Sequence, residues 1–324
     1  MIRYAAGRVV HALAVVLAVT TLTFLLIHAA PGDPLTGLRE SSYASPEFVA
    51  RAQRYLGLDR PLHEQYLVYL GNLARGDLGE SFAMHIPVWD VLRPAIPNTL
   101  LLGATALLVD FAVGMAVAAL QAIRPGGRLD RWLSNATLTI YAVPVFWLGI
   151  LLSMLFSQAL GWLPIGDIRD PIIAAAGTGP QKLVDVLRHL VLPAATLGLI
   201  GAASTARYQR TALFDALRQD FIRTARAKGL AERTVLLRHA LRNALLPTIT
   251  LFGLSLPVLF SGAVLVESVF GWPGLGTLAI QAVLHRDYLV VTAAATLTAT
   301  AVVIGSALAD MLYRVADPRT RSAA

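Results

Sequence analysis

Few residues in this 324-residue sequence have the types and spacing of a catalytic or metal site. It contains no cysteine, which excludes disulfides, thiolate metal sites and a cysteine nucleophile. His63-Glu64 begins like the helical motif of zinc proteases, but Leu67 stands where the second histidine is needed. The serines form no Gly-x-Ser-x-Gly elbow, and neither Lys182 nor Lys228 is followed by the Ser or Thr of a Walker A motif. The sequence therefore predicts a protein that is not an enzyme and that binds no cofactor or metal directly.

One residue with chemical potential is Asp110, an acid inside a long apolar segment. A carboxylate within hydrocarbon costs free energy, so an acid in such a place is a candidate functional group. Three roles are open to it: pairing with a neighbouring helix, facing water in a translocation path, or contacting a transported solute. The sequence names no partner for a proton relay.

The composition determines which elements carry these residues. Hydrophobic residues make up 56% of the chain and charged residues 15%, against about 45–50% and about 25% in soluble domains. Most of the apolar segments reach the ~20 residues that a membrane-crossing helix needs. The sequence predicts an all-α integral membrane protein whose six spans lie at 9–30, 98–123, 133–160, 190–208, 245–266 and 288–313.

The basic residues predict the orientation. With the N-terminus inside, 17 of the 27 Lys and Arg residues fall on inner segments, while the outer segments carry 13 of the 20 acids. Both termini are therefore predicted to be cytoplasmic. The first span is interpreted as a retained anchor rather than a signal peptide, because the turn at 31–34 follows it instead of a cleavage site. The same basic loops explain the net charge of +7, and they lack the interleaved aromatic residues of a nucleic-acid surface.

The outer region between the first two spans is too long to be a simple connector. Ser45, Pro46 and Glu47 predict a helix start there, and Gly57 a stop. A second helix is predicted from Pro61 to Arg75. The topology divides the chain into an N-terminal tail with the first span, an extracytoplasmic loop region, a transmembrane core and a cytoplasmic tail, at 1–30, 31–97, 98–313 and 314–324.

The cytoplasmic segment 207–244 has the most informative pattern. It predicts one helix over 221–228, a stop at Gly229 and a second helix over about 232–246. The first helix mixes small and basic residues, which suits insertion into an acidic-rimmed groove of a soluble partner. The alternative is a solvated basic helix beside anionic lipid.

This segment resembles the cytoplasmic EAA loop of ABC importer permeases, whose pattern is Glu-Ala-Ala, three residues, Gly, and a Leu-Pro downstream. Here Arg223-Thr224-Ala225, Gly229 and Leu246-Pro247 occupy those places. The arginine in place of the glutamate and the longer Gly-to-Pro spacing are both similar to the peptide/nickel branch of that family. Further segments resemble the same branch in the same order, at 31–34, 57–82, 161–164 and 267–276. The chain looks like the first of the two permease subunits of a dipeptide/oligopeptide-type importer in the bacterial cytoplasmic membrane.

The resemblance implies a coupling helix that sits in a nucleotide-binding subunit. It implies a second homologous permease subunit, two ATP-binding cassette subunits that carry ATP and Mg, an extracytoplasmic binding protein, and surrounding lipid, with no nucleic acid. A bulky charge at Ala225 is expected to uncouple transport. The contact residues carried over from the family are Thr224, Ala225, Arg226, Ala227, Lys228, Gly229 and Leu230.

The fourth predicted span has a face of small residues spaced four apart, which lets another helix approach closely. This face either packs within the subunit or moves against the second permease subunit along the translocation path. The candidate path residues are Asp110, Gly198 and Ala202.

The solute and one rival class of transporter stay open. In the resembling family the binding protein mostly selects the solute, so a peptide, nickel or another small solute is compatible with the sequence. The rival is an ion-coupled secondary transporter. Such proteins usually show more spans and an inverted repeat, and no repeat relates the halves of this sequence.

Overall fold

The computed structural model describes residues 2–29, 45–56 and 58–316, and every regular element in that part of the chain is helical. The all-α prediction is confirmed. The predicted turn at 31–34, the predicted stop at Gly57 and residues 317–324 of the tail lie outside the described residues. In chain order the elements are α1 (Ile2–Ala29), α2 (Pro46–Leu56), α3 (Leu62–Ala74), α4 (Val88–Leu92), α5 (Ala95–Ile123), α6 (Arg128–Ala142), α7 (Val145–Leu152), the π-helical turn π1 (Ser153–Ala159), α8 (Pro171–Ala176), α9 (Gly179–Leu217), α10 (Asp220–Ala227), α11 (Glu232–Thr234), the π-helical turn π2 (Val235–Ala240), α12 (Leu241–Phe270), α13 (Leu275–Leu284) and α14 (Tyr288–Ala316).

Three helical stretches in the described chain are long and apolar enough to cross a membrane: Val88–Ile123, Gly179–Leu217 and Tyr288–Ala309. Two helix pairs meet the same criteria together but are bent, which gives up to five spans by length and composition. The apolar part of α1, Val10–Leu26, is shorter. Five of the six predicted spans fall on helical residues wherever the structure describes them, and the third, 133–160, is interrupted.

The predicted third span is two helices rather than one. α6 and α7 meet at Pro144 with a bend of 108°. Proline disfavours helical backbone in the residue before it, and Val143 is extended, with φ −81° and ψ 131°. The C-cap of α12 is Gly271, whose backbone lies in the left-handed region with φ 59°.

The chain forms two compact units. Unit 1 comprises Met1–Thr99 and Pro273–Val303, and unit 2 comprises Leu100–Trp272 and Ile304–Ala324.

Unit 1 has an apolar core to which α2, α4, α13 and α14 contribute. Asp287, three residues after the end of α13, accepts two hydrogen bonds in this unit. Ser81 Oγ donates to its carboxylate at 2.5 Å, and the backbone amide of Ala83 donates to the same carboxylate at 3.1 Å. The C-terminal part of α1 is joined to α3 by a 2.6 Å hydrogen bond between the hydroxyls of Thr21 and Tyr66. The buried core residues are Ala52, Phe82, Val88, Leu92, Ala95, Leu275, Ala282, Leu289, Val290, Ala293 and Ala294.

Unit 2 is built around α9, which contacts α6, α7, α8, π2 and α12. This helix has 39 residues, or about 58 Å at 1.5 Å per residue, roughly twice the thickness of a bilayer core. It therefore extends beyond the predicted span 190–208 at both ends and continues into the segment that is predicted to be a cytoplasmic loop.

Candidate functional site

α10 is a short amphipathic helix within the predicted cytoplasmic loop. It runs Asp220–Ala227, starting and ending one residue earlier than predicted. The side chains of Ile222 and Ala225 are buried, whereas the intervening Arg223 and Thr224 are exposed. The helix therefore packs on unit 2 with one face and leaves the other free.

The seven predicted coupling residues do not share one environment. Ala225 is 4% exposed and lies in an apolar cluster with Ile222 of its own helix. The other members of this cluster are Ala118, Ala122, Leu213, Ala216, Val235, Ala240 and Ala244. The remaining predicted residues are all exposed: Thr224, Arg226, Ala227, Lys228, Gly229 and Leu230.

The burial of Ala225 changes what a substitution there would do. A charge at this position would be placed inside the apolar cluster without a partner, and burying an unpaired charge costs several kcal/mol. A charge at Ala225 would therefore disturb the packing of the loop as well as any contact with a partner. A charge at an exposed position of α10 would affect the partner contact alone.

α10 ends in a Schellman motif. The amide of Leu230 donates to Ala225 O at 3.4 Å, and the amide of Gly229 donates to Arg226 O at 2.9 Å. Gly229 has φ +73°, a left-handed conformation that side chains rarely adopt. The predicted stop at Gly229 is confirmed.

An ion pair joins the end of α10 to α11. Arg226 Nε donates to Glu232 Oε2 at 3.2 Å, and its Nη2 donates to Oε1. These hydrogen bonds lower the pKa of Glu232 below its ordinary value. Both side chains are therefore charged near neutral pH. Because Arg226 and Glu232 lie on either side of Gly229, their ion pair holds together the two ends of the turn that contains it.

Asp110 on α5 pairs with α9. Thr205 Oγ1 donates to Asp110 Oδ1 at 2.7 Å, and Asp110 is 7% exposed. A Cβ on Gly201 would lie 2.4 Å from Asp110 Oδ2, so only glycine leaves room for the carboxylate. Of the three roles open to Asp110, pairing with a neighbouring helix is the one seen in this structure.

The small face of α9 packs within unit 2. A Cβ on Gly198 would lie 2.6 Å from Val109 Cβ, and one on Gly114 of α5 would lie 2.8 Å from Thr205 Cβ. α5 and α9 are therefore in close contact through glycines on both helices. The small residues spaced four apart that form this face are all buried: Ala194, Gly198, Ala202 and Ala206.

An ion pair beside the loop was not predicted from the sequence. Arg210 on α9 donates through Nε and Nη2 to the two carboxylate oxygens of buried Asp130 on α6, both at 2.8 Å, and the amide of Gly126 donates to Oδ2 at 2.9 Å. The two residues are 80 positions apart, and no periodicity connects them. The available signal was weak: Asp130 is the one acid in 124–132, the short connection between the second and third predicted spans, which is predicted to lie inside.

Within the described ranges, no group of three or more His, Asp or Glu side chains could hold a metal ion. The features that remain are an exposed basic helix face and a tightly packed pair of helices with a buried carboxylate.

Comparison with protein families shows which family this chain belongs to. Residues 111–322 match the family described as "Binding-protein-dependent transport system inner membrane component", and residues 1–103 match its N-terminal counterpart, "Binding-prot-dependent transport system membrane comp, N-term". The chain belongs to this family. The permease is therefore a multi-pass inner-membrane protein, and the family resemblance read from its cytoplasmic loop is confirmed.

Several curated relatives match the permease over nearly its whole length. The Di/tripeptide transport system permease protein DppB of Pseudomonas aeruginosa is 42% identical and covers 94% of each chain. The Oligopeptide transport system permease protein AppB of Bacillus subtilis is 38% identical over 98% of this chain and 99% of its own. The Dipeptide transport system permease protein DppB of Escherichia coli is 39% identical, with 94% of each chain covered.

A chain in a solved structure of the MetNI methionine ABC transporter, described as inward facing, has a similar fold. The TM-score is 0.53 at 18% identity, and the match covers 70% of this permease and 96% of that chain. This likeness supports the fold assignment alone.

Proposed function

We propose that this chain is a permease subunit of an ATP-driven importer of di- or oligopeptides, and that it forms the translocation path. The observation that carries the proposal is the identity of 38–42% to permeases named for peptide transport, over 94% or more of the chain. The names of these relatives favour peptides over nickel as the solute.

The coupling contact with an ATP-binding subunit is made by the exposed face of α10 and the turn that follows it. This face comprises Thr224, Arg226, Ala227, Lys228, Gly229 and Leu230, while Ala225 supports it from within. Lys228 and Arg226 give the face a positive charge suited to an acidic-rimmed groove, although Arg226 is already paired with Glu232.

The remaining chemistry belongs to partner subunits. The permease is not itself an enzyme: two ATP-binding cassette subunits hold ATP and Mg, a second homologous permease subunit completes the path, and an extracytoplasmic binding protein delivers the solute. The basic inner segments orient the chain with both termini in the cytoplasm. Residues 98–313 form the membrane core, 31–97 face outward, and 314–324 form a cytoplasmic tail.

The translocation path follows α5 and α9 near Asp110, Gly198 and Ala202. The glycine contacts and the Thr205 hydrogen bond support movement of this part of the two helices as one rigid body. ATP binding needs only to favour one state of the assembly over the other for such a movement to follow.

The two lysines of the chain provide a matched test of the coupling face. Lys228→Glu reverses a charge on that face, whereas Lys182→Glu makes the same change in the first turn of α9, on the predicted opposite side. Like charges at an interface cost several kcal/mol, so the amount of ATP-binding subunit that co-purifies with Lys228→Glu should fall at least about 10-fold. Lys182→Glu should retain the unaltered amount, and equal retention by both variants would refute the coupling assignment.

A further inference from the structure

The connection between α5 and α6 is short and strongly basic. It carries three exposed arginines, Arg124, Arg128 and Arg131, which we call the arginine cluster. The amide of Gly127 donates to Arg124 O at 3.0 Å, and Gly126 has φ +75°, so the chain turns tightly between the two helices. Arg128 and Arg131 are three residues apart on α6 and are therefore neighbours on its surface.

Asp130, the one acid of this connection, does not compensate the charge of the cluster. It is 2% exposed, and Arg210 donates to both of its carboxylate oxygens at 2.8 Å. The amide of Gly126 and the hydroxyl of Ser134 donate to the same carboxylate at 2.9 and 3.4 Å. In the part of the chain that the structure describes, no acid forms an ion pair with the arginine cluster. The connection therefore presents three positive charges on its exposed side.

Exposed apolar side chains lie directly beside these charges. Leu129 and Trp132 of α6 are 48% and 67% exposed, and Ile123, the last residue of α5, is 57% exposed. Arginine next to exposed leucine and tryptophan is typical of helices at a membrane interface, where tryptophan lies at the level of the lipid headgroups. Since α5 belongs to a stretch that is long and apolar enough to cross a membrane, the cluster lies at the end of a span.

The exposed surface of α5 continues this pattern away from Arg124. An apolar row of residues spaced four apart, and therefore adjacent on the helix surface, leads up to it. The row consists of Leu108, Ala112, Ala116 and Leu120, all exposed. It is about 18 Å long at 1.5 Å per residue, slightly more than half of the ~30 Å hydrocarbon core. Positive charge at the end of such a row matches a phospholipid with an anionic head and acyl chains.

We propose that the arginine cluster binds the headgroup of an anionic phospholipid whose acyl chains lie along this row of α5. Guanidinium groups form strong, bidentate hydrogen bonds with phosphate. Each basic residue near an anionic lipid surface strengthens the attraction by about fivefold. A zwitterionic phospholipid has the same phosphate but adds a cation that the cluster repels. An acidic protein surface would match the charges but would leave the apolar row of a membrane span uncovered.

The inference goes beyond the proposed function and does not depend on how an ATP-binding subunit docks. The test uses the assembled transporter in phosphatidylcholine vesicles that contain a trace of phosphatidylglycerol with a photoreactive group in its acyl chain. Labelled residues are identified by mass spectrometry, and unlabelled lipids are added as competitors. We expect labelling within 108–132, and phosphatidylglycerol should compete at least about 10-fold more effectively than phosphatidylcholine.

Two results with the unaltered protein would overturn the proposal. Equal competition by the two lipids would show that the surface contacts lipid without recognising its head. Labelling of 108–132 in the isolated permease that disappears in the assembled transporter would show that a protein subunit covers the cluster. Neither comparison requires a substitution, so the proposal stays testable if a variant fails to insert.

A pair of matched variants then tests the arginines themselves. The cluster variant replaces its three arginines with glutamine. The control removes the same charge from three exposed arginines on the predicted outer side, as Arg60→Gln, Arg75→Gln and Arg93→Gln. The cluster variant should lose at least about fivefold of the preference for phosphatidylglycerol, whereas the control should keep it. An equal preference in both variants would refute the assignment, because net charge and not the cluster would then be the cause.

Discussion

Asp110 illustrates how far single residues could be interpreted from the sequence. An acid in an apolar segment is a signal that needs no structure, and pairing with a neighbouring helix was one of the three roles that the sequence left open for Asp110. The identity of that partner, Thr205, depends on how α5 packs on α9, 95 positions away. The same limit hid Asp130 and Arg210, whose pairing depends on tertiary packing rather than on spacing along the chain.

Gly201 gives a test of that helix contact at the residue scale. Gly201→Ala would place a Cβ 2.4 Å from Asp110 Oδ2, so the carboxylate or a helix must shift. Overpacking of this kind costs about 1–3 kcal/mol, and we expect a lower thermal unfolding midpoint for the solubilised protein.

Gly71→Ala is the matched control for this substitution. Gly71 lies inside α3 with no atom within 4 Å of an added Cβ. In a helix interior, alanine is more favourable than glycine by about 1 kcal/mol. This variant should therefore unfold at an unchanged or slightly higher temperature. A midpoint for Gly201→Ala equal to that of Gly71→Ala would contradict the close contact.

At the element scale, the sequence predicted the helix ends well where capping residues mark them. Pro46 starts α2, and Gly229 ends the coupling helix with a left-handed backbone, both as predicted. The bend at Pro144 and the π turn at 235–240 were not predicted. Hydrophobicity over 133–160 is continuous through the proline, and a π turn leaves no mark in residue types.

A negative charge should have different effects on the buried face and on the exposed face of α10. Ala225→Asp introduces a carboxylate into the apolar cluster, whereas Ala227→Asp adds the same charge to the exposed face. Both variants should lose peptide uptake, but only Ala225→Asp should loosen the loop.

Limited digestion with trypsin separates the two effects, because nine Lys and Arg residues lie in 207–244. We expect faster cleavage of this loop in Ala225→Asp and an unchanged rate in Ala227→Asp. Normal uptake by Ala227→Asp would argue against a coupling role for the exposed face, and unchanged cleavage of Ala225→Asp would argue against its burial.

At the scale of the whole molecule, composition alone identified a membrane protein. The charged fraction of 15% is lower, and the apolar fraction of 56% is higher, than in soluble domains. Family membership followed from several short segments in the right order, and the match over 1–103 and 111–322 agrees with it. The solute could not be read from the permease, because no residue pattern in it specifies a ligand.

The central claim is that an ATP-binding subunit contacts the exposed face of α10 and drives the conformational change of the permease through that contact. A photo-crosslinking amino acid at position 227, in the transporter assembled in native membranes, tests it most directly, with position 176 on α8 as the control. The account predicts a crosslinked product with an ATP-binding subunit from position 227 and none from position 176. Crosslinks from position 227 to lipid alone would contradict it.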